Sequence, residues 1–321
     1  MIDFAENTGL EELQKLPCWE KEEAIISTEP AGEGNMNLVL RVKTNHKSVI
    51  LKQSKSYVRR YPQIKAPINR IEIEKTYYSL IETSPTLKTF SPKVLAYLPE
   101  CHLLIMEDLG NGSDFGFLYR GEAKIESGII NRLVHYLNAL HGLEVKSFPD
   151  NSAMKLLNHE HIFNFPFALE NGFDLNSIQS GLQKISLDYK KDNELKEHVS
   201  ILGNRYLSSG DTLLHGDFYP GSWLKVGNGL KIIDPEFGFL GDREFDLGIL
   251  FAHLDLAQQP DILKKEILKS YHHSYLSTLL DQYHGVEIIR RLLGIAQLPV
   301  TLSLSQKKNL LERARKLILA K

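Results

Sequence analysis

Asp217, Asp234 and Glu236 are the carboxylates whose spacing most readily makes chemistry. Asp217 sits in the run Leu213-Leu214-His215-Gly216-Asp217-Phe218-Tyr219-Pro220-Gly221-Ser222-Trp223, and the other two lie in Ile232-Ile233-Asp234-Pro235-Glu236-Phe237. Between them, two short apolar runs, 223–226 and 230–233, flank Gly227-Asn228-Gly229, and an Asn-Gly pair in that setting predicts a β-hairpin. A hairpin brings its ends together, so Asp217 and Asp234 should face one cleft. Phosphoryl transfer asks for one carboxylate to accept or orient an attacking hydroxyl and others to hold magnesium on nucleotide phosphates. Taken singly, a Gly-Asp or Asp-Pro pair is an ordinary turn acid. The joint placement is what points to a site.

The elements that must position these groups fall into two parts. From residue 24 to 54 the pattern is β-rich and punctuated by glycine, predicting strands over 24–28, 37–43 and 48–53. Helical spacing follows over 68–81, with Ile71, Tyr78 and Ile81 on one side, and then two more strands, 93–98 and 102–106, around a Pro99-Glu100 turn. The second of these runs into Glu107-Asp108-Leu109-Gly110, a hinge. Beyond Ser113 the reading changes to long helices, 125–141, 175–208, 260–280, 286–298 and 302–319, with one β interruption over 212–234. The expected architecture is α+β and bilobal. A small β-rich lobe with one helix (1–108) precedes a larger, mainly helical lobe (109–321).

Composition excludes several classes. With 38 Lys and Arg against 40 Asp and Glu, the chain offers no field to gather nucleic acid or an anionic membrane, so an anionic ligand must be held locally. No run approaches the roughly 18 uncharged apolar residues that span a bilayer, and the acidic first residues, 1–12, do not read as a leader. Cys18 and Cys101, the two cysteines, fit neither a zinc pattern nor a disulfide framework, which suits a reducing, cytoplasmic setting. His159 and His161 stand at a helical spacing that points their rings apart, and His272-His273 reads as an exposed helix face.

His215-Gly216-Asp217, Ile233-Asp234-Pro235-Glu236-Phe237 and the stretch 241–248 together resemble the catalytic core of the aminoglycoside phosphotransferase and choline kinase superfamily, which has the protein-kinase-like fold. Within it the chain is most similar to the methylthioribose kinases, which share Ser222 in place of the usual asparagine and the Asp-Pro-Glu-Phe motif. The resemblance implies an Mg-ATP-dependent kinase with Asp217 as catalytic and acceptor-orienting aspartate and Asp234 and Glu236 as magnesium ligands. Glu236 would supply the oxygen that the missing asparagine amide does not.

It further implies a phosphate-covering loop at Gly32, Gly34, Asn35 and Asn37, where backbone must approach phosphate closely. Lys52 becomes the phosphate-contacting lysine, braced by Glu74, with Glu72 an open alternative. Met106, Glu107 and Leu109 become the adenine-facing hinge, and His215 and Asp246 structural supports of the catalytic loop. Arg290 and Arg291 resemble the paired arginines that handle sugar and phosphate, a task suited to a planar, permanently charged fork. Adjacent helical residues diverge by about 100°, so at most one of the two should face the cleft while the other pairs on the surface.

The acceptor implied is a small-molecule hydroxyl, methylthioribose or a related sugar. A choline, homoserine or aminoglycoside kinase is the alternative, as is a nucleotide-binding pseudokinase acting as a partner protein. Phe218-Tyr219-Pro220 departs from the Leu-His-Thr run common in methylthioribose kinases, and the region between Asp246 and Arg290 is shorter. Family analogy suggests a homodimer.

Overall fold

The computed structural model describes residues 3–32, 34–121 and 123–320. Its first elements are α1 (Leu10–Leu13), β1 (Ile25–Pro30), β2 (Leu38–Thr44), β3 (Ser48–Gln53), β4 (Tyr57–Val58), β5 (Tyr61–Lys65), α2 (Arg70–Ile81), β6 (Val94–Leu98) and β7 (Leu103–Glu107). Next come β8 (Ser113–Asp114), α3 (Ser127–His141), α4 (Ser152–His159), α5 (Leu182–Lys190), α6 (Asn193–Leu207), β9 (Thr212–Leu214), β10 (Trp223–Val226) and β11 (Gly229–Ile232). The chain closes with β12 (Phe239–Gly241), α7 (Glu244–Leu256), α8 (Ile262–Ser270), α9 (Ser277–Leu293) and α10 (Leu304–Ile318).

Packing divides the chain into two units, Met1–Ser113 with Val226–Phe237, and Asp114–Lys225 with Gly238–Lys321. The sequence boundary at residue 108 thus moves to Ser113. The segment Val226–Phe237, which the sequence reading left in the second lobe, joins the first because the turn Pro235–Phe237 packs on α2.

In the first unit, five antiparallel strands run in the order β1-β2-β3-β7-β6. Alternation sends Leu38, Leu40 and Val42 of β2 and Val49 and Leu51 of β3 inward, against Leu13, Leu103 and Ile105. Each buried side chain of this kind contributes about 1.5–3 kcal/mol. Helix α2 buries Ile71, Tyr78 and Ile81, the face its spacing predicts, and Glu74 with them. The pair β4 and β5 is not legible in the sequence, where Arg59, Arg60 and Pro62 interrupt any alternation.

The second unit is helical around α7, which is buried along its whole length. A helix apolar on every side, with Phe245, Leu247, Ile249 and Leu250, must sit inside. It packs on α9, which packs in turn on α10. A Cβ at Gly248 would come 2.7 Å from Tyr283 Cβ and 2.8 Å from the His284 amide nitrogen, so only glycine permits this approach.

Two of the long helices expected are each broken. The 175–208 stretch yields α5 and α6, separated where the Asp192 side chain accepts from Leu195 N–H and caps a new start. The 260–280 stretch stops at Ser270 and resumes at Ser277, so His272 and His273 lie in the break, and His273 Nε2 contacts the Asn138 carbonyl at 2.9 Å. Strand β12 pairs antiparallel with β9, a second β element beyond the predicted interruption. Among the described residues no helix is long and apolar enough to cross a membrane.

Candidate active site

Each unit gathers its own part of the predicted residues. In the first, β3 carries Lys52, whose ammonium lies 2.7 Å from Glu74 Oε2 and 2.6 Å from Asp234 Oδ1. Of the two α2 acids, Glu74 is the one that meets Lys52: its side chain is fully buried, while Glu72 on the same helix is exposed. Burial disfavours the Lys52 charge, but Asp234, Glu74 and Glu236 outweigh it and hold the amine well above the usual lysine range. Burial, reinforced by Asp234 and Glu236, pushes the Glu74 carboxyl upward against the pull of Lys52. The cluster has more carboxylates than it can neutralise internally.

Asp234 keeps 47% of its side chain exposed and adopts φ 64°, a left-handed conformation that a non-glycine residue takes only at a cost. Glu236, named with it as a metal ligand, is differently engaged. Its Oε1 and Oε2 each accept from the Asn37 amide at 3.0 Å, and Oε2 lies 3.0 Å from Arg70 Nε. Among the described residues no cluster of three or more His, Cys, Asp or Glu could hold a metal ion. The donor set, one open carboxylate within an excess of negative charge, fits magnesium that takes most of its oxygens from water and phosphate.

The glycine-rich loop is tied down by the same network. Arg70, wholly buried, donates to Asn37 Oδ1 at 2.9 Å and to the carbonyls of Met36 and Lys55 at 2.7 and 2.6 Å. Asn37 is therefore a buried anchor of the loop. Gly32 has φ 85°, and a Cβ at Gly34 would stand 2.6 Å from the Asn37 carbonyl oxygen, so both require glycine. Asn35 holds Arg60 through its carbonyl; Glu33 lies outside the described residues.

At the hinge, Met106 is buried and the Glu107 N–H donates to the Lys93 carbonyl at 2.9 Å. That amide is therefore already paired within the first unit. Asp108 accepts from Arg41 Nε at 2.8 Å, Ser48 Oγ at 2.5 Å and Gly110 N–H at 2.9 Å, which fixes the turn.

In the second unit, β9 leads into the loop that carries His215, Gly216 and Asp217. Asp246, fully buried at the start of α7, accepts from the His215 and Gly216 amides at 2.8 and 3.0 Å. The Asp217 N–H donates to His215 Nδ1 at 3.3 Å, and Ser222 Oγ donates to the Asp217 carbonyl at 2.8 Å. Ser222 thus ties the loop at the position where most of the superfamily has asparagine.

Burial raises the Asp217 carboxyl above its ordinary range, against the lowering pull of Arg291 and Arg290. Arg291 Nη2 contacts Asp217 Oδ1 at 3.2 Å, and the guanidinium lies over the Tyr219 ring at 5.0 Å. Arg290 turns to Glu287, and its buried Nε has no hydrogen-bond partner among the described residues. Both arginines therefore reach Glu287, and Arg291 contacts Asp217 as well.

Sequence reasoning missed Tyr219, Glu287, His253 and Tyr119, all of which surround Asp217 or its arginine. Glu287 alone left a signal, standing three and four residues before the arginines.

The family described as phosphotransferase enzyme family matches residues 27–286. A methylthioribose kinase of Exiguobacterium sibiricum is 28% identical over 90% of this chain and 85% of its own length. Another, of Enterobacter sp. (strain 638), is 27% identical over 72% of this chain but only 60% of its own length. Among solved structures, LicA in complex with AMP shares the fold, with a TM-score of 0.57 at 16% identity over 96% of each chain.

Proposed function

This chain belongs to the phosphotransferase enzyme family, and on that footing we propose that it transfers the ATP γ-phosphoryl to a hydroxyl of methylthioribose or a closely related sugar. The observation that carries the kinase reading is Lys52 set between Glu74 and Asp234, 2.7 and 2.6 Å away. That lysine is held charged for phosphate, with an accessible carboxylate beside it for the metal. The arginine on Asp217 supports the acceptor assignment. A cationic acceptor such as choline would meet the positive charge of Arg291 beside the aspartate, whereas that planar fork suits an oxygen-rich sugar that leaves as a phosphate.

In this reading Asp217 accepts a hydrogen bond from the acceptor hydroxyl and takes its proton as the O–P bond forms. The phosphoryl passes directly, with no phosphoenzyme. Lys52 steadies the nucleotide phosphates, and the loop from Gly32 to Asn37 covers them. Asp234 would hold magnesium together with Glu236, whose carboxylate is also held by Asn37 and Arg70. The ion when bound supplies charge neutralisation across the phosphates. Cys18 carries a free thiol, in keeping with a cytoplasmic enzyme.

The test is Mg-ATP-dependent phosphorylation of methylthioribose, related sugars, choline, homoserine and kanamycin, with Asp217→Asn alongside. Turnover of methylthioribose that vanishes in the variant is the expected result. Turnover of choline alone would overturn the acceptor, and no turnover of any acceptor despite Mg-ATP binding would leave a pseudokinase.

A further inference from the structure

Helix α9 carries a buried carboxylate with no part in the mechanism above. Glu287 Oε1 accepts from Arg291 Nε at 2.5 Å and from His253 Nε2 at 3.1 Å, while Oε2 accepts from Arg290 Nη1 at 3.0 Å. His253 is held in turn by the Tyr119 hydroxyl, 2.5 Å from Nδ1. Burial keeps the phenol protonated and the imidazole neutral, so one tautomer satisfies both contacts. Tyr119 donates to Nδ1, and Nε2–H donates to Glu287. The carboxylate is anchored from behind and faces two arginines.

Arg291 is therefore shared between two carboxylates, 2.5 Å from Glu287 through Nε and 3.2 Å from Asp217 through Nη2. A full ion pair would weaken Asp217 as a base, because a cation stabilises the deprotonated form. The shorter contact shows which carboxylate holds the guanidinium. We propose that Glu287 is a positioning residue that takes the larger share of Arg291 and so leaves Asp217 basic enough to receive the acceptor's proton. This rests on the reading of Asp217 as the catalytic aspartate.

The ionisable groups acting on Asp217 are Arg290, Arg291 and Glu287 from α9 and His215 from its own loop, while Tyr119 and Tyr206 feel its charge in return. Burial raises Asp217 most, the arginines lower it and Glu287 raises it. With Glu287 removed, Arg291 is released to pair fully with Asp217, and that closer cation should lower the proton affinity of Asp217.

The experiment is the pH profile of kcat and kcat/KM for the acceptor in Glu287→Gln. The acid limb is expected to move down by about half a unit to one unit, with kcat lower by about tenfold and KM for ATP unchanged. A side chain that only supports the fold would lower activity without moving that limb. Asp217→Asn serves as the reference. If that variant keeps turnover, the catalytic reading falls and takes this inference with it. If it is inactive while the Glu287→Gln limb stays in place or rises, this inference alone fails.

Because Glu287→Gln leaves two buried arginines facing one carboxylate, Arg291→Gln and the charge-balanced double variant are measured beside it. Arg291→Gln should raise the limb, and the double variant should match it. A double variant whose limb lies well below that of Arg291→Gln would mean that Glu287 acts on Asp217 directly, overturning the positioning role.

Discussion

Lys52 and Glu74 form an ion pair of 2.7 Å in which neither side chain is more than 2% exposed. Breaking a buried pair by removing one partner costs about 3–5 kcal/mol, because the other is left uncompensated. Lys52→Met should lose that much in urea unfolding and bind ATP at least tenfold more weakly. Unchanged stability would mean that Glu74 simply takes up a proton at no cost.

His253 gives the fold an acid sensitivity. Burial lowers it from an ordinary 6.5 to about 4, so between those values the unfolded chain holds a proton that the folded one refuses. Stability from this group is full above about 6.5 and is lost as pH falls toward 4, by about 3 kcal/mol in all. Unfolding midpoints measured from pH 4.5 to 8 should slope less steeply in His253→Gln than in wild type. Equal slopes would place the acid sensitivity elsewhere, with His141 and His284, also lowered by burial, as the next to examine.

Asp246→Asn replaces a carboxylate that accepts two backbone amides with a group of weaker acceptance. We expect a loss of about 1–3 kcal/mol and a fall in kcat with KM for ATP unchanged, since the residue touches the catalytic loop and no part of the first unit's lysine cluster. A normal kcat in a destabilised protein would confine Asp246 to folding.

Gly221→Ala is expected to damage acceptor handling at a distance from the acceptor. A Cβ there would lie 2.4 Å from the Tyr219 ring, so the ring must shift and Arg291 loses its aromatic support. Cation–π support of a partly buried arginine is worth about 1–2 kcal/mol, which predicts about a tenfold drop in acceptor kcat/KM. Wild-type kinetics would show that the ring moves freely.

The sequence carried much of this because phosphoryl transfer leaves short, contiguous traces. Strand β3 falls over 48–53 as its alternation predicts, and the carboxylates bracket the turn at Gly227 and Asn228. What stayed hidden depends on contacts distant in the chain. Nothing local to Asn37 shows that it will be buried against Glu236, and nothing near His253 shows that it will be clamped between Tyr119 and Glu287. Helix breaks were missed where a cap such as Asp192 outcompeted a continuous apolar period.

Helix α7 holds the catalytic loop through Asp246 and, two residues on, meets α9 through the bare backbone of Gly248. The helix works as a spacer gauge. The separation of Asp217 from Arg291 is inherited from the steric contact of Gly248 with Tyr283 and His284. Selection acting at the seam between α7 and α9 can therefore recalibrate the site while every polar group in it stays the same.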